Sequence, residues 1–314
     1  RLIAFHLAGD ADDLQLASKD QTDANLGAPV TLTIDANGQI SEFRRLVVDQ
    51  MTYSVSEPAT PETPFINGTL DLERSVALDT LKMSLTTGAE LPALATFLPF
   101  ENFQASAGQL NAALRYDTKG DFDEVRGDLQ IGRFTGRLGS VALKDFSFQA
   151  RPRAEIRPDG FKLSQLSVTT RHGLSAGLNL NARGEYDANR QLGDGRLEII
   201  QLDDGLVRDL LPYEDPTLEL ATFAASGRIN LLYNATDQLT YDATLTLQSL
   251  GLAAKSGERS PIASARVVAQ GATDFETFEW TQGTLLFGPN LRSEIDEFQL
   301  AEPWKLSLSR PDLP

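Results

Sequence analysis

The sequence predicts an all-β protein of mostly antiparallel strands, with a few short helices and a repeated internal plan. Three observations predict it. Apolar and polar residues alternate over many short runs, which is the strand period rather than the helix period. Turn-forming residues separate many of those runs. The helical period surfaces at two places only, beside the near-identical pentapeptides LPFEN (98–102) and LPYED (211–215).

The strand runs begin with APVTLTID and continue through NGTLDLE, GQLNAALRYD, RGDLQIG, KLSQLSVTT, AGLNLNARG, GRLEIIQ, GRINLLYN, TYDATLTLQ and QGTLLFG. In GQLNAALRYD, Leu110, Ala112, Leu114 and Tyr116 share one face, while Gln109, Asn111 and Arg115 point the other way. TYDATLTLQ repeats the arrangement with Tyr241, Ala243, Leu245 and Leu247. Asp35-Ala-Asn-Gly38, Asp117-Thr-Lys-Gly120 and Asp187-Ala-Asn-Arg190 read as turns between runs, and period-2 matching gives roughly 17 to 20 strands in all. The glycine-rich IGRFTGRLGS (131–140) has the wrong spacing for a dinucleotide loop and reads as bends or bulges within a strand.

The two helical stretches are ELPALATFLPF and DDGLVRDLLPYED. Leu91, Leu94, Ala95 and Leu98 fall on one face of the first, and Leu206, Val207, Leu210 and Leu211 on one face of the second. Asp203 or Asp204 can cap the second, and Pro99 and Pro212 stop the two, because proline cannot donate the next backbone hydrogen bond. A hairpin precedes each helix, at 67–85 and at 182–200, and a similarly worded strand comes after it, ASAGQLNAAL or AASGRINLLY. The repeated unit is therefore hairpin, short helix, hairpin, with a period near 115 residues. We divide the chain into internal repeats at roughly 67–181 and 182–300, within a single repetitive module.

Composition excludes several function classes. The net charge of −16 opposes nucleic acid, whose phosphates need a concentrated Lys/Arg face, and equally opposes tight docking on an anionic lipid surface. The richest basic stretch, RPRAEIR (151–157), reads as a solvated edge strand. The absence of cysteine removes thiol catalysis, Cys-zinc sites and disulfides. Apolar runs such as ALATFLPF (93–100) fall far short of a bilayer span. The opening RLIAFHLAGDADD has neither a Met start nor an apolar signal region, so the chain reads as a fragment of a longer protein.

The cadence of a helix ending in Leu-Pro, then a small-residue step Ala-Ser-Ala-Gly or Ala-Ser-Gly, then Leu-x-Leu strands resembles the AsmA-like superfamily, which includes AsmA, TamB and YhdP of Gram-negative envelopes. The resemblance covers about residues 60–300. It implies an elongated sheet curled lengthwise into an open groove with an apolar lining. It also implies a periplasmic location, an inner-membrane anchor supplied by a segment absent from this chain, and a part in moving phospholipid between membranes or in outer-membrane assembly. The implied partners are phospholipid and an outer-membrane barrel or inner-membrane protein; no enzymatic activity, cofactor or metal is implied.

The candidate lipid-facing residues are Leu70, Leu72, Leu110, Ala112, Leu114, Leu129, Ile131, Leu178, Leu180, Ile229, Leu231, Tyr233, Ala243, Leu245 and Leu247. An ordinary dry core between two sheets would suit the same positions, and a secreted β-solenoid or adhesin-like stalk is the alternative that such a core implies. Other features read as structural. His6 and His172 lack partners at metal-ligand spacing. Asp10-Ala-Asp-Asp13 lacks the glycine and glutamate of a calcium loop. The adjacent Asp203 and Asp204 serve capping and solvation, and the Asn67 and Asn234 sequons form turns. A polysaccharide lyase or glycosidase would gather carboxylates and aromatics on one groove, whereas the aromatics are dispersed along the sequence.

Overall fold

The structure, a computed structural model, describes residues 2–17, 25–97, 103–139, 141–210, 218–234, 238–254, 263–274, 277–290 and 294–307. The chain forms two compact units, Arg1–Arg157 and Pro158–Pro314.

The first unit contains β1 (Leu2–Ala17), β2 (Asn25–Ser41), β3 (Arg45–Ser56), β4 (Ile66–Ser75), β5 (Thr80–Glu90), α1 (Leu91–Phe97), β6 (Phe103–Thr118), β7 (Asp123–Leu138) and β8 (Val141–Arg157). Each strand pairs antiparallel with the next in sequence. The second unit contains β9 (Gly160–His172), β10 (Ser175–Asp187), β11 (Leu192–Asp203), α2 (Asp204–Leu210), β12 (Leu218–Asn234), β13 (Gln238–Ala254), β14 (Ala263–Thr273), β15 (Thr277–Asn290), β16 (Glu294–Gln299) and β17 (Trp304–Ser307). Here too neighbours in sequence pair antiparallel, except that β15 receives β16 along one half and β17 along the other. The predicted all-β, antiparallel, repetitive architecture is observed, and the strands do not close into a barrel.

One helix interrupts each meander, α1 between β5 and β6 and α2 between β11 and β12. Pro92 sits in the first turn of α1, where its missing N–H costs no hydrogen bond. Leu91 and Phe97 are the buried residues of α1. Phe97 stacks on Phe65 at 4.3 Å between ring centroids, and Leu91 joins Phe134 and Leu143 in a cluster that includes Leu94, Phe103, Leu110, Ile131 and Phe146. Gly108, in the small-residue step after α1, has φ +130, and a Cβ there would stand 3.0 Å from the Leu91 side chain. Only glycine gives both that backbone and that clearance. In the second unit Leu206 of α2 is buried, and the helix lies against β9, β10, β11 and β12. Leu98, Pro99, Leu211, Pro212 and both pentapeptides lie outside the described residues.

Two expected turns are strand instead. Asp35–Gly38 continues β2, paired with β1 on one side and β3 on the other, with a register shift at Asn37/Gly38; the turn falls at Ser41–Arg44. Pairing on both flanks outweighs the local turn preference of Asp, Asn and Gly. Asn67-Gly68 lies inside β4, where Gly68 leaves room for the Tyr53 ring, whose hydroxyl donates to the Thr86 carbonyl at 3.3 Å. Asn234 ends β12, and residues 235–237 lie outside the described residues. The glycine-rich 131–140 stretch carries bulges, with register shifts at Ile131/Phe134 and Phe134/Gly136 and φ +52 at Arg133.

Candidate functional site

Directly opposed residues of an antiparallel pair share a face, so the pairing sorts side chains to one side or the other. In the first unit one rung runs Phe5, Gly38, Val48, Leu72, Met83, Tyr116, Val125 and Ala154, crossing β1 to β8. A second runs Leu7, Ala36, Met51, Leu70, Leu85, Leu114 and Gly127, and the third Ala11, Leu32, Val55, Ile66, Ala89, Leu110, Ile131 and Phe148. Every residue in the three rungs is apolar or glycine except for the Tyr116 hydroxyl. The α1 cluster built on Leu91 packs on this face at the third rung, through Leu110 and Ile131.

The second unit repeats the pattern. One rung joins Val168, Leu180, Ile199, Gly227, Leu245, Val267, Leu285 and Phe298; the next joins Leu166, Ala182, Leu197, Ile229, Ala243, Ala269 and Gly283. A third runs Leu178, Leu202, Ala225, Leu247, Ala265 and Phe287. All fifteen candidate residues therefore lie on an apolar face: Leu70, Leu72, Leu110, Ala112, Leu114, Leu129 and Ile131 on that of the first unit, and Leu178, Leu180, Ile229, Leu231, Tyr233, Ala243, Leu245 and Leu247 on that of the second. The contributions of β1, β2, β3, β5 and β8 in the first unit and of β9, β11, β14, β15 and β16 in the second, and of most aromatic side chains, are additions that the pairing makes to that set.

The burial of these faces is incomplete. Most of their large side chains are partly buried, Leu7, Leu129, Leu285, Phe287 and Phe298 are exposed, and among the described residues no large side chain is fully buried. The accessible surface is 20484 Å² for 34.2 kDa, about 1.6 times the roughly 12,900 Å² expected of a folded monomer of that mass.

The aromatics, dispersed in sequence, come together in space, which corrects the expectation of scatter. In the second unit Phe161, Tyr186 and Tyr233 succeed one another at 6.0 and 5.8 Å, and Tyr241, Phe278, Trp280 and Trp304 at 4.8, 6.0 and 5.3 Å. Register makes them neighbours, and register is not visible in composition. Burial pushes the Tyr241 hydroxyl up to about 12; it donates to the Glu279 carbonyl at 3.1 Å.

The opposite face is polar. In the first unit Glu73, Lys82, Asp117, Glu124 and Glu155 form one rung of it. The buried Glu124 carboxylate accepts hydrogen bonds from Arg126 at 2.8 Å and from Arg153 at 2.9 Å. The Arg126 bonds, with help from Arg153, hold its carboxyl below the usual range against the opposing effect of burial. Burial pushes Asp128 up more strongly than any single partner pulls it down, yet Gln130, Gln149 and Arg151 together lower it. The arginines of 151–157 are thus engaged: Arg151 pairs with Asp128, Arg153 with Glu124 and Arg157 with Glu155. Two shallow depressions, about 490 and 670 Å³, are lined largely by this polar face, the larger by Thr52, Asn67, Thr69, Thr86, Asn111 and Gln130 among others.

His6 lies 2.9 Å from the Asn37 side chain, and His172 ends β9. Asp12 lies in β1 and accepts a hydrogen bond from Thr31 at 2.9 Å. Asp203 closes β11 and accepts from Gln201 at 2.7 Å, and Asp204 opens α2, where a carboxylate suits the helix dipole. Among the described residues no cluster of His, Cys, Asp or Glu suits a metal ion, and no helix is long and apolar enough to cross a membrane.

Fold and faces together define a class: an open, antiparallel, repetitive β-sheet protein with apolar and polar residues on opposite sides. No protein-family model matches the chain, and no curated protein or solved structure shows significant similarity to it.

Proposed function

We propose that the chain is a non-enzymatic envelope protein that shelters phospholipid acyl chains along its apolar sheet face and so supports their passage between inner and outer membranes. The observation that carries this reading is the set of apolar rungs crossing every strand from β1 to β8 with no fully buried large side chain. A sheet face of this kind must be covered by another layer or by a ligand. Along one strand, Met83 to Ala89 spans about 20 Å at about 3.4 Å per residue. That exceeds the roughly 15 Å occupied by one leaflet's acyl chains, so a tail can lie along a strand. Each buried methylene contributes about 0.8 kcal/mol, and no directional side-chain chemistry is required for a tail to slide.

The Leu-Pro helices and small-residue steps, which resemble those of AsmA-like proteins, support placing the chain in the periplasm and giving it membrane-protein partners at either end. A closed, dry solenoid core would fully bury large side chains, and the described residues hold none. The test is native extraction of the purified chain, then mass spectrometry of the extract. Phospholipid at a reproducible ratio is the expected result; a stable, lipid-free monomer overturns the proposal.

A further inference from the structure

The first unit has two unlike ends. At one, α1 and its cluster cover part of the apolar face. At the other, the β2–β3 and β4–β5 turns stand side by side, joined by a hydrogen bond from the Val76 amide to the Arg44 carbonyl at 2.7 Å. These tips carry Phe43, Val76 and Leu78, which are 78%, 65% and 76% exposed, and Leu2, 66% exposed, opens β1 opposite Ser41 beside them. Isolated exposed leucines need no explanation, but four large apolar side chains on neighbouring tips of one sheet end do.

The turn that presents Phe43 is itself unusual. Glu42 and Phe43 have φ +51 and +55, and the Arg44 amide closes the turn on the Ser41 carbonyl at 2.9 Å. Such a turn favours Asn-Gly, and a bulky aromatic held at positive φ is strained. Strain of this kind, kept at an exposed tip, is a pointer to function. Three arginines stand at the base of the tips. Arg45 pairs with Glu73 and Arg74 with Asp79, both at 2.7 Å, and the Arg44 side chain has no ion-pair partner among the described residues.

We propose that this end of the first unit docks on a phospholipid bilayer, with Phe43, Val76 and Leu78 entering the acyl boundary and Arg44 meeting lipid phosphates. The proposal rests on the reading of the apolar face as an acyl path and gives that path its point of entry. Behind the tips comes the rung of Ile3, Ile40, Leu46, Arg74 and Leu81, in which Arg74 is neutralised by Asp79, and behind it the wholly apolar step from Phe5 to Leu72, so a tail drawn from the leaflet passes one ion-paired side chain and reaches the apolar face. Separate side chains projecting from narrow turns suit a deformable lipid surface better than a protein partner, which requires a broad complementary patch.

The test is flotation of the purified chain with zwitterionic phosphatidylcholine vesicles, which present phosphates and an acyl boundary without the anionic surface that a net charge of −16 opposes. Phe43→Ser/Val76→Ser/Leu78→Ser is compared with the unaltered chain. Phe43→Gly, which removes the ring and relieves the positive φ, is a second variant that keeps the fold. Unaltered protein is expected to float with vesicles, the triple variant to bind about tenfold or more weakly, and Phe43→Gly to fall between. No flotation of the unaltered chain, equal flotation of all three, or loss of self-association rather than of flotation in the triple variant overturns the docking proposal. Lipid carried through purification, measured on the same samples, separates the two ideas. A chain that carries lipid but does not float loses only the docking site, and one that floats but carries none loses only the acyl path.

Discussion

Leu114→Glu distinguishes an open apolar face from a closed core, because the two differ in what the new carboxylate meets. Leu114 is partly buried on β6, between Leu85 of β5 and Gly127 of β7, the latter without a side chain. Losing most of a leucine's burial costs about 1–2 kcal/mol, and a glutamate at an uncovered face stays hydrated. A dry core would add the desolvation of a polar or charged group, bringing the total above about 4 kcal/mol. Urea unfolding monitored by far-UV circular dichroism, with Leu91→Ala as reference, measures the difference. Leu91 is 4% exposed at the centre of the α1 cluster, so its truncation is expected to cost about 2–4 kcal/mol. We expect Leu114→Glu to cost less than Leu91→Ala while strongly reducing crosslinking to a photoreactive phospholipid. A loss above about 4 kcal/mol for Leu114→Glu, or unchanged crosslinking in a folded variant, refutes the reasoning.

Two further outcomes are expected. Glu124→Gln leaves Arg126 and Arg153 without their shared carboxylate and should cost about 1–2 kcal/mol at pH 7. Because the folded Glu124 carboxyl is held below its unfolded value of about 4.3, its stabilisation is complete above that pH and fades as pH falls through the folded value. The difference between wild type and variant in urea midpoint should therefore shrink below about pH 4, and a constant difference down to about pH 2 removes the assigned role. Gly68→Val drives a branched side chain into the Thr86 carbonyl and the Tyr53 ring, so it should cost about 3 kcal/mol or more by thermal melting; a melting temperature within a degree of wild type contradicts the observed register.

The face assignment is legible in the sequence because it depends only on a period of two. Leu110, Ala112 and Leu114 need no partner strand to be placed together. What depends on register is not legible. Leu231 and Tyr233 can be assigned from β12 alone, while the neighbouring aromatic line of Tyr241, Phe278, Trp280 and Trp304 arises from three strands far apart in the chain. In β1, Ile3, Phe5 and Leu7 alternate with Ala4, His6 and Ala8, and the alanines blur the polar side. Asp35-Ala-Asn-Gly38 and Asn67-Gly68 have the wording of turns but sit inside paired strands, whereas the real turn is spelled Ser-Glu-Phe-Arg. Local preference is weak beside hydrogen-bonded pairing on both flanks.

The repeat visible in the sequence and the compact units seen in the structure are cut at different places, at 181/182 and at 157/158. Both divisions are compatible if stability is a sum of neighbour terms, because each strand pairs only with those beside it, as in a solenoid. Unfolding then need not be all-or-none. The chain supplies its own reporter: both tryptophans, Trp280 and Trp304, belong to Pro158–Pro314, so tryptophan emission tracks that unit alone, whereas far-UV circular dichroism tracks all strands. We expect the emission and dichroism midpoints in urea to differ, and the Leu91→Ala change, made in the other unit, to move the dichroism curve while leaving the emission curve in place. Coincident curves that shift together would mean that the strands unfold as one cooperative body, and the neighbour-sum account of this sheet would be wrong.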